Sequence, residues 1–484
     1  MVTEETREIR TETVRVAAAK GSRSKFSLRI GALLLPLTAV TFGTYYPALR
    51  AQLVADDFSL VGQISFRDAM GYFHSSSGFG RNEYRPLTVM SYAIDGWFWG
   101  ANPAGFHLTN ILLHAITADL LYLTVYALSA DIALGWLAGL IFAIHPVNHS
   151  RVVWIAARDG SICAMFLMAS LLLYILGRRR KRRIYWLASA TLCGCALLAY
   201  EGAIILPALL FAIEFLCFSR SGPLRRRAGE SLRKTGAFWG LTVVYLLVWQ
   251  MLFAGNVRGY SLSFRLSDIA TNYARLLSNL FYASKQWVFA VLYAALLVLS
   301  YRALIARWKL TAFGTLLALL AFLPYCFTNG FAYRFGYISA LGMALLLALC
   351  ILGTLRSARP VYRLAGAGIA IVLCAWYLAE DQRLVGDWIA AGEIANQIPK
   401  AIVKLHPRLP AGALLVLKGV PVAHGKAYVF PVGLQAAIQH EYPVPILVEQ
   451  HDASSPDLNR EKRASMFVFE YKEGKEPVRE VAQH

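Results

Sequence analysis

The chain has 484 residues, 57% of them hydrophobic and 13% aromatic, and its mean hydropathy of +0.48 exceeds what a soluble core of that length requires. A formal charge of +19 would suggest nucleic acid as the partner of a soluble protein. Here the lysines and arginines stand in short blocks between apolar runs, which selects a membrane as solvent and leaves nucleic acid out.

Residues 1–29 are charged and lack an early apolar core, so they read as a basic cytoplasmic tail rather than a cleaved leader. From residue 30, runs of about 20 mostly apolar residues recur, the length a helix needs to cross a bilayer with every backbone amide satisfied internally. About eleven spans are predicted, near 30–49, 106–128, 132–147, 161–177, 184–200, 202–218, 237–254, 286–301, 311–327, 337–355 and 364–379. The basic blocks at 1–29, 178–183, 220–234, 302–309 and 356–363 then all fall on one side, as cytoplasmic loops do. The run 178–183 is accordingly a topology anchor. This places the N-terminus in the cytoplasm of a plasma (inner) membrane protein, with the endoplasmic reticulum as the alternative. An odd span count puts 380–484 outside, where short apolar runs such as Ala413-Leu414-Leu415-Val416-Leu417, punctuated by proline and glycine, predict a small α/β domain. The seven cysteines lie in apolar runs, so no disulfide framework or metal–thiolate site is expected.

Ionisable groups beside membrane spans are costly and mark sites by default. The first outer loop, 51–105, opens on Asp56-Asp57 and continues through Arg81-Asn82-Glu83-Tyr84-Arg85-Pro86 to Trp97-Phe98-Trp99, with 87–99 patterned for a helix on the membrane surface. The second carries His145, His149, Arg151, Arg158 and Asp159, and later outer segments add Glu201, Arg258, Arg265, Asp268 and Arg334. Each has a plainer reading. An exposed Asp pair is usually only solvated, His145 before Pro146 ends a helix, and Arg151 or Arg158 anchors to lipid phosphate. His107 and His114, seven apart on one helical face, read as satisfied by backbone or water.

The ordered set Asp56-Asp57, Tyr84-Arg85-Pro86-Leu87-Thr88, Gly105-Phe106-His107-Leu108-Thr109-Asn110, Leu113-His114, His145-Pro146-Val147, Arg158-Asp159, Glu201-Gly202 and Tyr333-Arg334-Phe335-Gly336-Tyr337 resembles the GT-C superfamily of membrane glycosyltransferases. It is most similar to the O-mannosyltransferase branch that carries transmembrane spans and TPR repeats. The likeness covers 30–355, and the chain lacks the TPR array. Tyr200 also stands where that branch often has a lysine before the glutamate.

The resemblance implies a GT-C-like helical polytopic fold and inverting transfer from a polyprenyl-phosphate sugar, with an acidic residue of the first outer loop at the reaction centre. Asp56 is the candidate base, while Asp57 either holds the acceptor or joins Asp56 on a divalent cation. Arg334, then Arg258 and Arg265, are candidates for the donor phosphate. Arg85, His145, His149, Arg158, Asp159 and Glu201 are candidates for binding acceptor or donor. The expected partners are the lipid-linked sugar, membrane lipid and an acceptor that is protein, lipid or polysaccharide. A transporter or flippase of lipid-linked saccharides is the rival reading. It would favour internal repeats with broken helices in matching positions, and the sequence shows no such repeat.

Overall fold

The computed structural model describes residues 31–74, 83–219, 221–253, 263–281, 287–328, 331–452, 466–474 and 477–481, so the basic tail and Arg258 lie outside the described residues. After α1 (Leu34–Tyr45) come three short helices, α2 (Asp57–Leu60), α3 (Phe66–Gly71) and α4 (Pro86–Trp99), and then α5 (Pro103–Ser129). Local chemistry sets these boundaries. Ser65 and Asp68 form a capping box on α3, proline opens α4 and α5, and Ala130 turns left-handed (φ 56°) to end α5. Asp131 then caps α6 (Ile132–Ala143), which bends by 49° into a short segment ending in α7 (His149–Val153). The bundle continues with α8 (Arg158–Arg180), α9 (Arg183–Ala199), α10 (Leu206–Ile213), a π-turn at Glu214–Phe218, and α11 (Leu224–Phe253). It closes with α12 (Leu266–Leu280), α13 (Trp287–Ala306), α14 (Trp308–Leu320), α15 (Tyr337–Leu355) and α16 (Pro360–Leu405).

Among the described residues seven helices are long and apolar enough to cross a membrane, or eight if the bent pair Ile132–Ala143 and Pro146–Val153 is one span. The chain is a multi-pass helical membrane protein. The expected count of eleven is higher because α1, α9 and the 290–306 part of α13 are apolar helices too short to pass the same test.

The sequence reading starts the outer domain at 380, but α16 runs unbroken through that position to Leu405. Beyond it lies a small sheet domain: β1 (Leu414–Lys418), the hairpin β2 (Ala423–His424) and β3 (Ala427–Tyr428), α17 (Leu434–Gln439), β4 (Leu447–His451), β5 (Met466–Tyr471) and β6 (Val478–Glu480). Strand order is β4-β1-β5-β6, with β1 parallel to both neighbours and β6 antiparallel to β5. The central strand β1 is the apolar run read from sequence, and Leu414 to Leu417 are all buried.

With lipid as solvent, burial of apolar area does not favour one helix pairing over another, so close backbone approach at small residues matters most. Helices α14 and α15 meet this way. A Cβ on Gly342 would overlap the backbone of Gly314 and Ala318. Replacing Gly342 with valine should therefore lower the thermal unfolding temperature in detergent, overpacking costing about 1–3 kcal/mol. Gly368→Ala, whose added methyl meets open space, should leave it unchanged. Equal melting of Gly342→Val and wild type would show that the contact does not hold the helices together.

Candidate active site

The site begins at a clipped turn. Ala55 lies in the left-handed region (φ 46°), and the Asp57 carboxylate behind it accepts from the backbone N–H of Val54 (3.2 Å) and of Ala156 (2.8 Å). Asp57 is 1% exposed. Burial raises its pKa, and the two N–H donors offset this only in part. Asp57 thus ties the turn after α1 to the turn before α8, and its neighbour Asp56 is left lining a cavity of about 360 Å³.

Glu83, Arg85, Tyr92 and Asp159 also line the cavity. Arg85 stands just before the proline that opens α4, and its fork is fully used. Its Nε and Nη2 donate to the two oxygens of Glu201 (2.9 and 2.6 Å), while Nη1 lies 2.7 Å from Asp159 Oδ2 and 2.9 Å from Glu83. Asp159, in the first turn of α8 where a helix N-terminus favours negative charge, passes its other oxygen to Arg151 Nη1. Arg151 is 2% exposed and also donates to Tyr200 Oη (2.9 Å), Ala157 O (2.9 Å) and Arg334 O (3.2 Å). The Tyr200 ring takes both guanidiniums over it, Arg85 at 4.5 Å and Arg151 at 4.8 Å. The aromatic at 200 is thus part of the charge network.

The structure brings Asp56, Arg85, Asp159 and Glu201 together and sets other candidates apart. Arg158 is fully buried, 2.7 Å from Asp95 with its Nη2, and it donates to Asn110 Oδ1 (2.7 Å) and Phe106 O (2.9 Å). It pins α4 to α5 rather than facing the cavity. Buried His145 bonds Leu280 O through Nε2 (2.9 Å), and buried His149 accepts from Trp388 Nε1 (3.0 Å) through Nδ1. Both imidazoles are held by protein groups, away from the cavity lining. Arg334 lies over the Trp154 ring (5.3 Å) and donates to Tyr428 Oη of β3 (3.3 Å), and it is not among the residues lining the cavity. Arg265 is exposed at the start of α12.

Sequence reasoning names Glu83 and Arg151 among the outer-loop groups but assigns neither a role in the site, although Glu83 sits two residues from Arg85 and Arg151 eight from Asp159. The sheet domain's part has no local signal at all. Ala55 N–H donates to Val429 O (2.9 Å), Phe58 stacks on Phe430 at 5.8 Å, and Gly433 (φ 87°) packs so tightly on Ala55 that a Cβ would overlap its carbonyl. The alternative in which Asp57 joins Asp56 on a divalent cation would draw on a carboxylate whose two oxygens each already accept one backbone N–H. No group of three or more His, Cys, Asp or Glu among the described residues is arranged to hold a metal ion.

A multi-pass bundle with an ionised cavity at one end is the class of molecule these features define. By sequence it is homologous to the TMTC protein O-mannosyl-transferases. It is 32% identical to protein O-mannosyl-transferase TMTC2 of Mus musculus over 164 residues, covering 32% of this chain and 19% of that protein. It is 37% identical to protein O-mannosyl-transferase TMTC1 of Mus musculus over 90 residues, covering 18% of this chain and 10% of the relative. The chain therefore spans only a small part of the length of the curated relatives it matches. No family model matches. Among solved structures, ArnT from Cupriavidus metallidurans bound to undecaprenyl phosphate aligns with a TM-score of 0.49 at 14% identity, covering 87% of this chain and 86% of that one.

The buried Arg158–Asp95 pair gives a stability test. Arg158→Met leaves the buried Asp95 carboxylate with the Thr109 hydroxyl (2.8 Å) but no counter-charge, and breaking such a pair costs about 3–5 kcal/mol. The variant should unfold at clearly lower temperature than wild type, whereas Arg265→Ala at an exposed position should not. A wild-type melting curve for Arg158→Met would overturn the structural role given to Arg158.

Proposed function

We propose that the chain is a glycosyltransferase that moves a sugar, with inversion, from a polyprenyl-phosphate carrier to an acceptor hydroxyl on the non-cytoplasmic face of the membrane. The observation that carries this reading is the division of labour between adjacent aspartates. Asp57 is consumed in fixing the turn, so Asp56 presents its carboxylate to the cavity at a set position. Homology to enzymes named protein O-mannosyl-transferases supports the reaction class and makes a protein hydroxyl the first acceptor to test. The orientation rests on the alternation of lysine and arginine between spans.

In the proposed reaction Asp56 takes the proton of the acceptor hydroxyl as its oxygen bonds to the anomeric carbon. The bond from that carbon to the phosphate oxygen breaks on the opposite face, and its electron pair leaves with polyprenyl phosphate. The lining holds three carboxylates, Asp56, Glu83 and Asp159, against the one guanidinium of Arg85, itself engaged by carboxylates. Such walls suit the hydroxyls of sugar and acceptor and repel phosphate. The leaving phosphate is therefore assigned to arginines outside that lining, Arg334 first and then Arg265, while Arg258, outside the described residues, stands as a candidate from sequence alone. Arg85, Asp159 and Glu201 act as one unit that shapes the sugar and acceptor side.

Asp56→Asn keeps the shape and removes the base. Transfer from a radiolabelled polyprenyl-phosphate sugar by the purified variant should fall by about 10²–10⁴-fold, with donor binding nearly intact. Wild-type turnover would remove Asp56 from the reaction. At Arg334 the planar fork matters as well as the charge. Arg334→Lys should weaken donor affinity and rate, and Arg334→Ala more so. Full activity in Arg334→Lys would reduce the residue to an interfacial anchor.

A further inference from the structure

We propose that the opposite end of the bundle carries a second site, which binds the phosphoryl group of an anionic ligand. Helix α8 has Asp159 at its start and Arg178 near its end, about 28 Å away along the axis, so this site is separate from the cavity at Asp56. It is built on Glu214, the first residue of the π-turn and fully buried. The Glu214 carboxylate accepts from Arg178 Nε (2.7 Å) and Nη2 (3.0 Å), from Lys234 Nζ (2.7 Å) and from Tyr174 Oη (3.0 Å). That set ties α8 and α11 to the π-turn and leaves Glu214 little capacity for further cations.

Further cations are nevertheless present. Arg178, Arg226, Arg227, Arg233 and Lys234 all line a cavity of about 610 Å³, with Phe218 at its wall. Arg227 is held in place, donating to Ser219 Oγ (3.0 Å) and Phe215 O (3.0 Å) while lying over the Phe215 ring at 4.4 Å. Arg226 pairs with Glu230 at 3.0 Å, and Arg233 is exposed. Five cations thus stand against two carboxylates, Glu230 and Glu214, a surplus of three. A topology anchor needs only solvated charge, as the exposed Arg182 and Arg183 provide. It does not need a concave wall of guanidiniums, one of them fixed by hydrogen bonds and ring stacking. Like charges held together repel unless an anion sits among them, and guanidinium forks match phosphoryl oxygens in pairs.

Phosphoryl chemistry has two sources at this place. Exposed Leu224 and Leu232 on α11 put lipid within reach of the cavity, and a soluble phosphate would enter from water. The test uses full-length protein in a neutral detergent, titrated with inorganic pyrophosphate, dihexanoyl phosphatidic acid and dihexanoyl phosphatidylcholine. An anionic probe should bind, with affinity falling as salt rises, and phosphatidylcholine should not. The exposed-site variant R226Q/R233Q should bind it on the order of tenfold more weakly, and the control R182Q/R183Q should match wild type. Tighter binding of phosphatidic acid identifies a lipid headgroup as the source, and tighter binding of pyrophosphate identifies a soluble phosphate. Absence of binding by either anion overturns the proposal, as does an equal loss in R182Q/R183Q, which would mean diffuse surface charge.

Discussion

Asp159 lies between two guanidiniums, Arg85 and Arg151, and the geometry of the cavity end follows from that sharing. A buried charge without a partner costs several kcal/mol, and a pair offsets this only in good geometry. The chain therefore has to bring four separate reversals together: the residue before α4, the short helix α7, the start of α8 and the turn after α9 that carries Glu201. None can move alone without stranding another's charge. The Tyr200 ring under both guanidiniums limits their tilt as well as their position. What results is a wall of fixed polarity facing Asp56.

The floor under Asp56 comes from the other end of the sequence. Val429, Phe430 and Gly433 bear on Ala55 and Phe58, and Tyr428 meets both Trp154 and Arg334. The sheet domain thus supports the turn that carries Asp56, while the residues lining the cavity come from the membrane part. Its mixed strand order leaves β1 buried at the centre, and the loops leading out of β3 point at the aspartate turn. Trp388 on α16 completes the join by stacking on Trp154 (6.0 Å) and donating to His149.

The membrane part is legible in the sequence because hydropathy and charge placement are local properties. Seven helices emerge where long apolar runs predict them, and the strand Leu414–Lys418 is visible as an apolar run between turn residues. Side-chain direction is less legible. Arg151 and Arg158 are seven residues apart in one polar loop, yet one joins the cavity network and the other faces the opposite way into Asp95. Asp56 and Asp57 are adjacent, and the bond that ties Asp57 alone to the distant N–H of Ala156 has no counterpart in the local sequence. The break between α7 and α8, with its short 3₁₀ turn at Ile155–Ala157, resets the helical phase, so spacing alone cannot assign a face there. Length misleads too, since 380 looks like a domain boundary by composition while the backbone continues as helix.

That continuity has a mechanical meaning. Helix α16 has 46 residues and is about 70 Å long, far more than a bilayer's apolar thickness. It is one rod, with its first turns in the arginine-rich end and its last turns beneath the sheet. Along the way Asp381 takes the Tyr45 hydroxyl and Asn396 bonds the carbonyl of Leu53, so the rod also grips the strand of chain leading to Asp56. The arginine-rich end of the bundle and the chain that leads to the aspartate turn are therefore joined by a single continuous helix, so a displacement of one end is carried to the other through backbone hydrogen bonds rather than through loops.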